Sequence, residues 1–600
     1  MFIYFYILVV LIDLIMGALM KRNVIQNIYK ELREKFIVIG LTGATGSGCT
    51  KSAEILSSEL TEDDLTKLIH QSKKDNGCGD EIIKKYDSLE PYRAKKIYNF
   101  LKEEQWKPFY HIRVSNLLFA LLFAEKEESS LKEDYQLDKW LKDVDGNDYK
   151  FPAIQKLCHS ICSIILNKDN RGESLKKYLD KLHIVIDKTV NKKSAEYTTT
   201  FQKVGNELRK IGLKEYIQLS DEKNLGIFTI SSFIKNTIKC LRDEDIHFFV
   251  IDALRNIYEI NYFKARYSNF YLFSINAEET IRKKRLLNLF SYTESAYQRM
   301  SDMEKNKDNE YSQNINDCIS NGDVFVTNNT QIEKLKYQLV KYISLIRKPG
   351  LFTPTKDERN MQIALTARYN SGCISRQVGA CLVGQDGYIL GVGWNDVPEK
   401  AVPCLYRSSY SLVMENNNSS EFSAYENSSQ FKDFIREEVG ITHDPFCFKD
   451  QENNRHKNIE IGPQIEFIRR SCPDIDDESL TKFRKKLAKI SKNPTRERAL
   501  HAEENAFLQS AKIGGTSVKG STLYTTASPC QLCAKKAMQL GVKKIIFIDA
   551  YPDISTQQTL CSGPKDEWPE LTSFYGAAES AFMKLYKPLI NIKDEVEATY

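Results

Sequence analysis

Residues 501–533 read HAEENAFLQSAKIGGTSVKGSTLYTTASPCQLC, and they decide the fold of the C-terminal half. Their skeleton is His501-x-Glu503 followed by Pro529-Cys530-x-x-Cys533. One imidazole and two thiolates supply three zinc ligands and leave the fourth tetrahedral position open, whereas structural sites usually have four protein ligands. Glu503 is not needed as a ligand and is suited to move protons at a reacting water. The stretch therefore predicts a catalytic Zn²⁺ site held by His501, Cys530 and Cys533.

The segments around these residues predict how the site is built. Residues 497–509 have apolar side chains at helical spacing, which places His501 near the start of a helix. Residues 523–526 (LYTT) are typical of a strand, Ser528-Pro529 signals a second helix start, and residues 543–548 (KKIIFI) predict the next strand. The predicted order is αβαβ, with zinc between two helix starts. A small structural zinc site, or two buried cysteines beside an unrelated histidine, is the alternative.

The spacing H-x-E…P-C-x-x-C is typical of zinc deaminases that act on cytosine or adenine. Upstream of it, residues 357–370 predict a helix and residues 378–395 a β-hairpin with a polar turn. A long polar insertion at 403–495 interrupts this domain. It contains candidate ligands for a second metal, although their spacing matches no known template: Cys404, His443, Cys447, His456 and Cys472.

Composition bounds the remaining chain. At 600 residues it is too long for one ordinary domain, and its 42% hydrophobic content fits a folded protein. A net charge of +5 is too small to indicate nucleic-acid binding, so we expect no DNA binding.

Residues 1–20 are apolar except for Asp13 and are followed by Lys21-Arg22. They predict either a membrane anchor with the active domains on the cytoplasmic side, or a translation start called too early.

A glycine-rich turn follows the first buried-strand pattern, residues 36–41 (FIVIGL), and runs into a helix-like segment. This context suits a phosphate-binding loop, in which backbone N–H groups and the helix N-terminus hold phosphate oxygens. Cys49 replaces the lysine that normally reaches the β- and γ-phosphates, so nucleotide binding is favoured over phosphoryl transfer. A glycine-rich turn without a ligand is the alternative. The candidate nucleotide-binding residues are Gly43, Gly46, Ser47, Gly48, Cys49 and Thr50.

Three more buried-strand patterns follow, at 247–252, 269–275 and 323–329. Asp252 ends the first of them, where a partner of Mg²⁺ is expected. Strands that alternate with helices indicate a parallel sheet. We therefore predict an α/β fold, with a P-loop kinase-like domain carrying a helical insertion over 21–345, a linker at 346–356 and an α/β/α deaminase domain over 357–600.

The C-terminal half resembles the deoxycytidylate deaminase branch of the cytidine deaminase superfamily. The resemblance is carried by Met361-x-x-Ala364, by residues 371–380 (SGCISRQVGA) and by residues 393–398 (GWNDVP). It implies that Asn395 contacts the deoxynucleotide. Arg376 and Ser528 are further candidates for substrate contacts.

The chain after residue 35 resembles the bacterial anti-phage dCTP deaminases. Matching points are residues 43–50 (GATGSGCT), residues 252–256 (DALRN) and the tail 574–588. The resemblance implies depletion of the dCTP/dCMP pool during phage infection, and an N-terminal half that regulates the deaminase. It further implies a homo-oligomer and an inhibitory RNA or nucleotide effector.

Three rival functions stay open. A deaminase of cytosine or adenine in nucleic acids shares the zinc motif but needs a basic strand-binding groove. A deaminase of the riboflavin pathway shares the core but lacks the P-loop half. A nucleotide- or RNA-sensing module with an inactive deaminase is the third, and the intact zinc and glutamate residues argue against it. The sequence leaves dCTP and dCMP undistinguished as substrates.

Overall fold

The computed structural model describes residues 28, 30–67, 89–124, 150–167, 174–190, 194–212, 226–290, 292–304, 310–329, 331–415, 421–473, 475–490, 498–514, 517–549 and 559–593. The apolar segment 1–20 lies outside these ranges. Within them, none of the helices has the length and apolar character needed to cross a bilayer.

The described elements alternate between helix and strand over much of the chain. The strands are β1 (Ile37–Thr42), β2 (Tyr110–Arg113), β3 (Phe248–Asp252), β4 (Phe270–Asn276), β5 (Val324–Thr327), β6 (Gly379–Val383), β7 (Ile389–Trp394), β8 (Thr522–Ala527), β9 (Lys544–Asp549), β10 (Glu570–Ser573) and β11 (Gly576–Ala577). The helices are α1 (Cys49–Ser57), α2 (Glu90–Glu104), α3 (Val114–Ala124), α4 (Phe151–Asn167), α5 (Leu175–Thr189), α6 (Ala195–Ile211), α7 (Thr229–Asp243), α8 (Ile257–Arg266), α9 (Glu279–Leu289), α10 (Glu294–Glu304), α11 (Ile315–Ser320), α12 (Ile332–Arg347), α13 (Lys356–Arg368), α14 (Ser409–Val413), α15 (Ser429–Phe434), α16 (Phe448–Ser471), α17 (Asp477–Ile490), α18 (Ala502–Ile513), α19 (Gln531–Gln539) and α20 (Glu579–Tyr586).

The chain divides into two compact units, residues 1–358 with 575–600 and residues 359–574. The first unit contains a six-stranded sheet in the order β11-β5-β4-β1-β3-β2. Its strand pairs are parallel except for β11 against β5. The predicted α/β fold with a parallel sheet is confirmed, and the four strands predicted in this region are present.

Both faces of this sheet are covered, as its sequence requires. Alternate side chains of a strand point to opposite faces. Val38 of β1 packs into one buried cluster, while Ile37, Ile39 and Leu41 pack into another. A strand buried on both faces reads as a continuous apolar run, which is why β1 was recognisable from its sequence.

A short strand interrupts the helical segment within residues 90–124. Two helices, α2 and α3, flank the short strand β2, which forms the edge of the parallel sheet next to β3. Helix α2 ends at Glu104, and Gln105 takes a left-handed backbone conformation with φ 55°. Pro108 follows and offers no N–H to a continuing helix, so the chain restarts as a strand.

The C-terminal tail lies with the first unit, whereas the sequence assigned residues 357–600 to one domain. Strand β11 pairs antiparallel with β5. The buried carboxylate of Glu358 accepts hydrogen bonds from the Ala577 N–H at 2.8 Å and from the hydroxyls of Tyr342 at 2.9 Å and Tyr586 at 2.6 Å. These contacts hold the tail against α12. Sequence proximity to the zinc motif gave no sign of them.

The second unit is built on a mixed five-stranded sheet in the order β10-β9-β8-β6-β7. Strands β6 and β7 form the predicted hairpin, and β8 and β9 run parallel with α19 between them. The predicted αβαβ order over residues 502–549 is confirmed.

Glycines let one helix lie directly on this sheet. A Cβ at Gly393 would stand 2.1 Å from the Ala502 carbonyl oxygen, and one at Gly391 would stand 2.3 Å from the Ala506 carbonyl oxygen. Neither distance is compatible with a side chain. The absence of Cβ atoms in β7 therefore brings the first turn of α18 close to the sheet.

Candidate functional site

Two helix starts bring the zinc-motif residues together. His501 immediately precedes α18, and Cys530 immediately precedes α19. The Asn505 N–H donates to the His501 carbonyl at 2.9 Å, and the Ala534 N–H donates to that of Cys530 at 2.8 Å. A hydrogen bond from Asn505 Nδ2 to the Trp394 carbonyl, at 2.7 Å, ties α18 to the end of β7. Each helix thus makes its first backbone hydrogen bond to a candidate ligand residue, and the Asn505 side chain ties the start of α18 to β7.

The three candidate ligand atoms form one compact group. His501 Nδ1 lies 3.2 Å from Cys530 Sγ and 3.3 Å from Cys533 Sγ. All three atoms lie within 4.8 Å of one another, and Cys533 is buried. One imidazole nitrogen and two sulfurs are a donor set that Zn²⁺ prefers, and three protein ligands leave a coordination position open. The residues present therefore fit a zinc ion.

The two thiols differ in how readily they lose a proton. A hydrogen bond from Cys533, with another from His501, lowers the pKa of Cys530 to about 4. The pKa of Cys533 is raised because its thiol donates to Cys530 and because it is buried. Metal binding requires thiolates, so a zinc ion entering this group displaces the proton of Cys533.

Glu503 is buried beside this group. Burial raises the pKa of its carboxyl group. Thr525 Oγ1, on β8, lies 3.3 Å from Glu503 Oε1 and donates to the Ala527 carbonyl at 2.7 Å. A carboxyl group whose pKa is raised by burial holds a proton more readily than an exposed one, which suits an acid–base role.

The three predicted substrate contacts lie close to one another. Arg376 forms an ion pair with Asp549, and the Ser528 N–H donates to the Asp549 carbonyl at 2.8 Å. Asn395 Nδ2 donates to the Arg376 carbonyl at 2.7 Å, while its Oδ1 accepts from the Val378 N–H at 2.6 Å. In this structure the Asn395 side chain thus positions the backbone before β6, and a contact with substrate stays a prediction.

The glycine-rich turn lies between β1 and α1, as its sequence predicts. Gly46 and Gly48 have φ values of 85° and 106°, in the left-handed region that glycine adopts without strain. At Gly43 a Cβ would stand 2.4 Å from the Ile275 carbonyl oxygen. Asn328 Nδ2 donates to the Ser47 carbonyl at 2.7 Å. Whether this turn binds a nucleotide stays a prediction.

Cys49 and Thr50 begin α1 but differ in their surroundings. Thr50 is exposed, whereas Cys49 is buried with its Sγ 3.6 Å from Ser47 Oγ. Burial raises the pKa of the Cys49 thiol to about 11. A neutral thiol supplies no charge to a phosphate, which is consistent with the predicted loss of phosphoryl transfer.

Asp252 ends β3 but is engaged by the protein on both oxygens. Its Oδ2 lies 3.0 Å from His111 Nε2, and its Oδ1 accepts the Val114 N–H at 3.1 Å. Although burial alone would raise its pKa, His111 and the Val114 amide lower it. Both oxygens of Asp252 are thus engaged by the protein, and the structure gives no support to the predicted Mg²⁺ site.

The described part of the 403–495 insertion gives no support to a second metal. No other group of three ligating side chains in the described ranges brings its donor atoms within 4.8 Å, and the side chain of His456 lies outside those ranges. The His443 ring stacks on Tyr410 with ring centroids 4.0 Å apart. A hydrogen bond from Cys447 lowers the pKa of the Cys404 thiol to about 7. These two thiols are therefore in contact.

Sequence reasoning missed several polar partners of both candidate sites. Thr525 faces Glu503 from β8, which was predicted as a strand without a role for this side chain. Glu304 and Arg255 contact the glycine-rich turn at Thr45. The alternation of β8 could have identified Thr525, because Thr525 and Leu523 point to the same face. No sequence signal links Thr45 to Glu304, which lies 259 residues further along the chain.

Comparison with known proteins finds relatives of the region that contains the zinc-motif residues. The family described as "Cytidine and deoxycytidylate deaminase zinc-binding region" matches residues 354–549. The deoxycytidylate deaminase of Enterobacteria phage T2 is 25% identical over 229 residues, which are 36% of this chain and 96% of the relative. That of Enterobacteria phage T4 is 28% identical over 193 residues, 32% of this chain and 76% of the relative. The human deoxycytidylate deaminase is 43% identical over 54 residues, 9% of this chain and 29% of the relative.

Two solved structures are also similar to part of the chain. The dCMP deaminase from the cyanophage S-TIM5 in apo form is 21% identical, covers 36% of this chain and 96% of its own, and has a TM-score of 0.19. The same enzyme in complex with dCMP and dUMP is 22% identical, covers 36% of this chain and 95% of its own, and has a TM-score of 0.19. The family match and the phage relatives place a cytidine/deoxycytidylate deaminase domain in the C-terminal part of the chain.

Proposed function

We propose that the chain catalyses zinc-dependent hydrolytic deamination of deoxycytidine nucleotides, converting dCMP or dCTP to dUMP or dUTP with release of ammonia. The observation that carries this proposal is the compact His501–Cys530–Cys533 group with the buried Glu503 beside it. The phage relatives named deoxycytidylate deaminases support nucleotides as the substrate class. The small net charge of +5 argues against a nucleic-acid substrate.

His501, Cys530 and Cys533 would hold the metal in this mechanism. When bound, Zn²⁺ supplies a Lewis acid that lowers the pKa of a water and stabilises negative charge as it develops on the substrate. Burial of Cys533 limits the access of bulk water to one side of the group.

Glu503 performs the proton transfers. Its carboxylate accepts a proton from the attacking water and delivers it to N3 of the cytosine ring, which prepares C4 for attack. After the water oxygen has added to C4, the Glu503 carboxylate accepts the proton of the new C4 hydroxyl group and donates it to the amine, so that the C4–N bond breaks, ammonia leaves and the C4 carbonyl of uracil remains. Thr525 Oγ1, 3.3 Å away, restricts where the Glu503 carboxyl group can lie.

We further propose that the first unit regulates the deaminase by binding a nucleotide at the turn 43–50, without phosphoryl transfer. The buried neutral thiol of Cys49 supports binding without phosphoryl transfer, because Cys49 occupies the position where a phosphate-binding lysine is expected. Depletion of the deoxycytidine nucleotide pool in antiviral defence is the biological role that the sequence resemblance supports. A homo-oligomer and an RNA or nucleotide effector belong to the same proposal.

A substrate panel tests the function. Purified zinc-loaded protein is incubated separately with deoxycytidine, dCMP, dCTP, CTP and a cytosine-containing oligonucleotide, and uracil products are separated by chromatography. We expect turnover of dCMP or dCTP that is absent from Glu503→Ala. Turnover of the oligonucleotide alone would move the protein to the nucleic-acid deaminases. No turnover of any substrate by zinc-loaded protein would favour the sensing role.

A further inference from the structure

A buried carboxylate from a distant helix is bound at the glycine-rich turn. Glu304 is the last residue of α10, and its side chain is only 4% exposed. Its Oε1 accepts the Thr45 N–H at 2.9 Å and also accepts the Thr45 hydroxyl. Backbone amides of such a turn are donors that bind phosphoryl oxygens in phosphate-binding loops. Here a side-chain carboxylate occupies one of them.

Arg255 completes this carboxylate-binding arrangement. Its Nη1 lies 2.5 Å from Glu304 Oε1 and 3.1 Å from Thr45 Oγ1. An amide, a hydroxyl and a guanidinium group therefore converge on one anionic oxygen. Guanidinium and amide donors recognise phosphate as readily as carboxylate. The turn binds an anion in this structure, and the anion belongs to the protein.

Two further arginines add positive charge beside the turn. Arg282 Nη1 donates to the Thr45 carbonyl at 3.3 Å, and Arg285 Nη1 donates to the Gly46 carbonyl at 3.2 Å. These acceptors are neutral carbonyl groups. Three guanidinium groups thus contact a turn that holds the single carboxylate of Glu304. Guanidinium groups at several points around the turn suit a ligand with several anionic oxygens, such as a phosphoryl group.

The buried imidazole of His111 lies on β2, the strand next to β3. His111 of β2 bonds Asp252 through Nε2, while its Nδ1 has no hydrogen-bond partner among the described residues. Asp252 stands at the carboxyl end of β3, beside the carboxyl end of β1 where the turn begins. Ligands of parallel sheets bind at this end. A buried polar atom without a partner is consistent with a ligand or water bound there.

The helix that carries Glu304 has its own small core. Tyr297 and Met300 of α10 pack with Leu286 and Tyr292 in a cluster distinct from the two clusters that cover the sheet. A segment with a separate, small core can shift without disrupting the main cores. Withdrawal of Glu304 from the turn therefore requires only a local rearrangement.

We propose that Glu304 is an internal stand-in for a phosphoryl group, and that the terminal phosphoryl group of a nucleotide or polyphosphate displaces it from Thr45 and Arg255. This inference rests on the proposed nucleotide-binding role of the first unit and deepens it, because it assigns the group that competes with the ligand. Part of the binding free energy is then used to expel Glu304, which reduces the apparent affinity.

Calorimetric titration of the full-length chain with inorganic tripolyphosphate tests this proposal. Glu304→Gln removes the competing charge and keeps the shape, so we expect it to bind at least about tenfold more tightly than the wild type. Glu294→Gln is the matched control, because Glu294 lies at the other end of α10 and pairs with the exposed Lys283. It should bind like the wild type. Arg255→Gln should lose binding in both the wild-type and the Glu304→Gln backgrounds.

The outcomes separate the competing group from the site itself. Equal affinities of wild type and Glu304→Gln, both dependent on Arg255, would contradict the role of Glu304 and leave the phosphate site standing. No binding to either protein would contradict both. Hydrogen exchange of wild-type residues 294–304 provides a readout independent of any variant. Tripolyphosphate should accelerate exchange there, and unchanged exchange at saturation would overturn the proposal. Deamination is assayed separately, so loss of that function does not affect this result.

Discussion

Thr525, which lies on β8, places its Oγ1 3.3 Å from Oε1 of Glu503, the candidate catalytic residue. The same hydroxyl donates to the Ala527 carbonyl at 2.7 Å, so its orientation is fixed. Ala527 ends β8, three residues before Cys530. The hydroxyl thus links Glu503 to the segment that leads into α19.

Replacing Thr525 by valine tests this link. The side chain keeps its shape but loses the hydroxyl, so we expect kcat to fall about tenfold while KM changes little, which corresponds to the loss of one hydrogen bond. Thr525→Ser should restore most of kcat. Thr522→Val, at the partly exposed start of the same strand, is the control. Equal kcat values for wild type and Thr525→Val would remove Thr525 from the account.

Zinc uptake should depend on pH because Cys533 must lose its proton. The hydrogen bond between the two thiols lowers the pKa of Cys530 to about 4 and raises that of Cys533, so the pair shares a proton that zinc must displace. Affinity for Zn²⁺ should therefore rise about tenfold per pH unit between pH 6 and 8. Competition with a chelator of known affinity measures it. A zinc affinity independent of pH would show that both thiols are already ionised.

The close approach of α18 to β7 predicts the effect of a single methyl group. In Gly393→Ala the new Cβ would stand 2.1 Å from the Ala502 carbonyl oxygen, so α18 must move and carry His501 and Glu503 with it. We expect a destabilisation of about 1–3 kcal/mol and loss of deamination. Gly462→Ala, where no atom lies within 4 Å of the new methyl group, is the control. Normal turnover by Gly393→Ala would contradict this packing.

Glu90 predicts a dependence of the first unit's stability on pH. Burial alone would raise the pKa of Glu90, but Lys341, the Tyr337 hydroxyl and Arg93 outweigh it and lower the pKa to about 2. A depressed carboxyl pKa stabilises the fold above the unfolded-state pKa of about 4.3, and the contribution is lost as the pH falls towards 2.

Glu90→Gln should therefore lower the free energy of unfolding by about 2–3 kcal/mol at pH 7, and this difference should shrink below pH 4. Urea unfolding followed by hydrogen exchange in residues 90–104 measures it. Glu54→Gln, which removes an exposed partner of Lys51, is the matched control. A difference that stays constant from pH 7 to pH 3 would contradict the assignment.

The sequence predicted those features that depend on neighbouring residues. The zinc motif carries its own spacing, so the pairing of His501 with Cys530 and Cys533 followed from two helix starts joined by one strand. The strands of the parallel sheet were recognisable as short apolar runs that end at glycine, aspartate or asparagine. The exception among the parallel strands was β2, which has only four residues.

Features that join distant parts of the chain were not predictable from the sequence alone. Glu358 binds the tail through Ala577, 219 residues away, because a buried carboxylate needs several donors that only the folded chain provides. The buried carboxylate of Glu304 likewise finds its donor, Thr45, only in the folded chain. The magnesium prediction was unsupported for a related reason, since the motif does not show that His111 engages Asp252.

The central claim is that Glu503 moves the protons in a zinc-dependent deamination of a deoxycytidine nucleotide. The most direct test compares wild type with Glu503→Gln in single-turnover deamination of whichever of dCMP and dCTP is the better substrate, with the zinc content of both proteins measured. General acid–base catalysis contributes about 10²–10⁴-fold, so the variant should retain one zinc per chain and lose at least about a hundredfold in rate. A zinc-loaded Glu503→Gln that turns over at the wild-type rate would contradict the account.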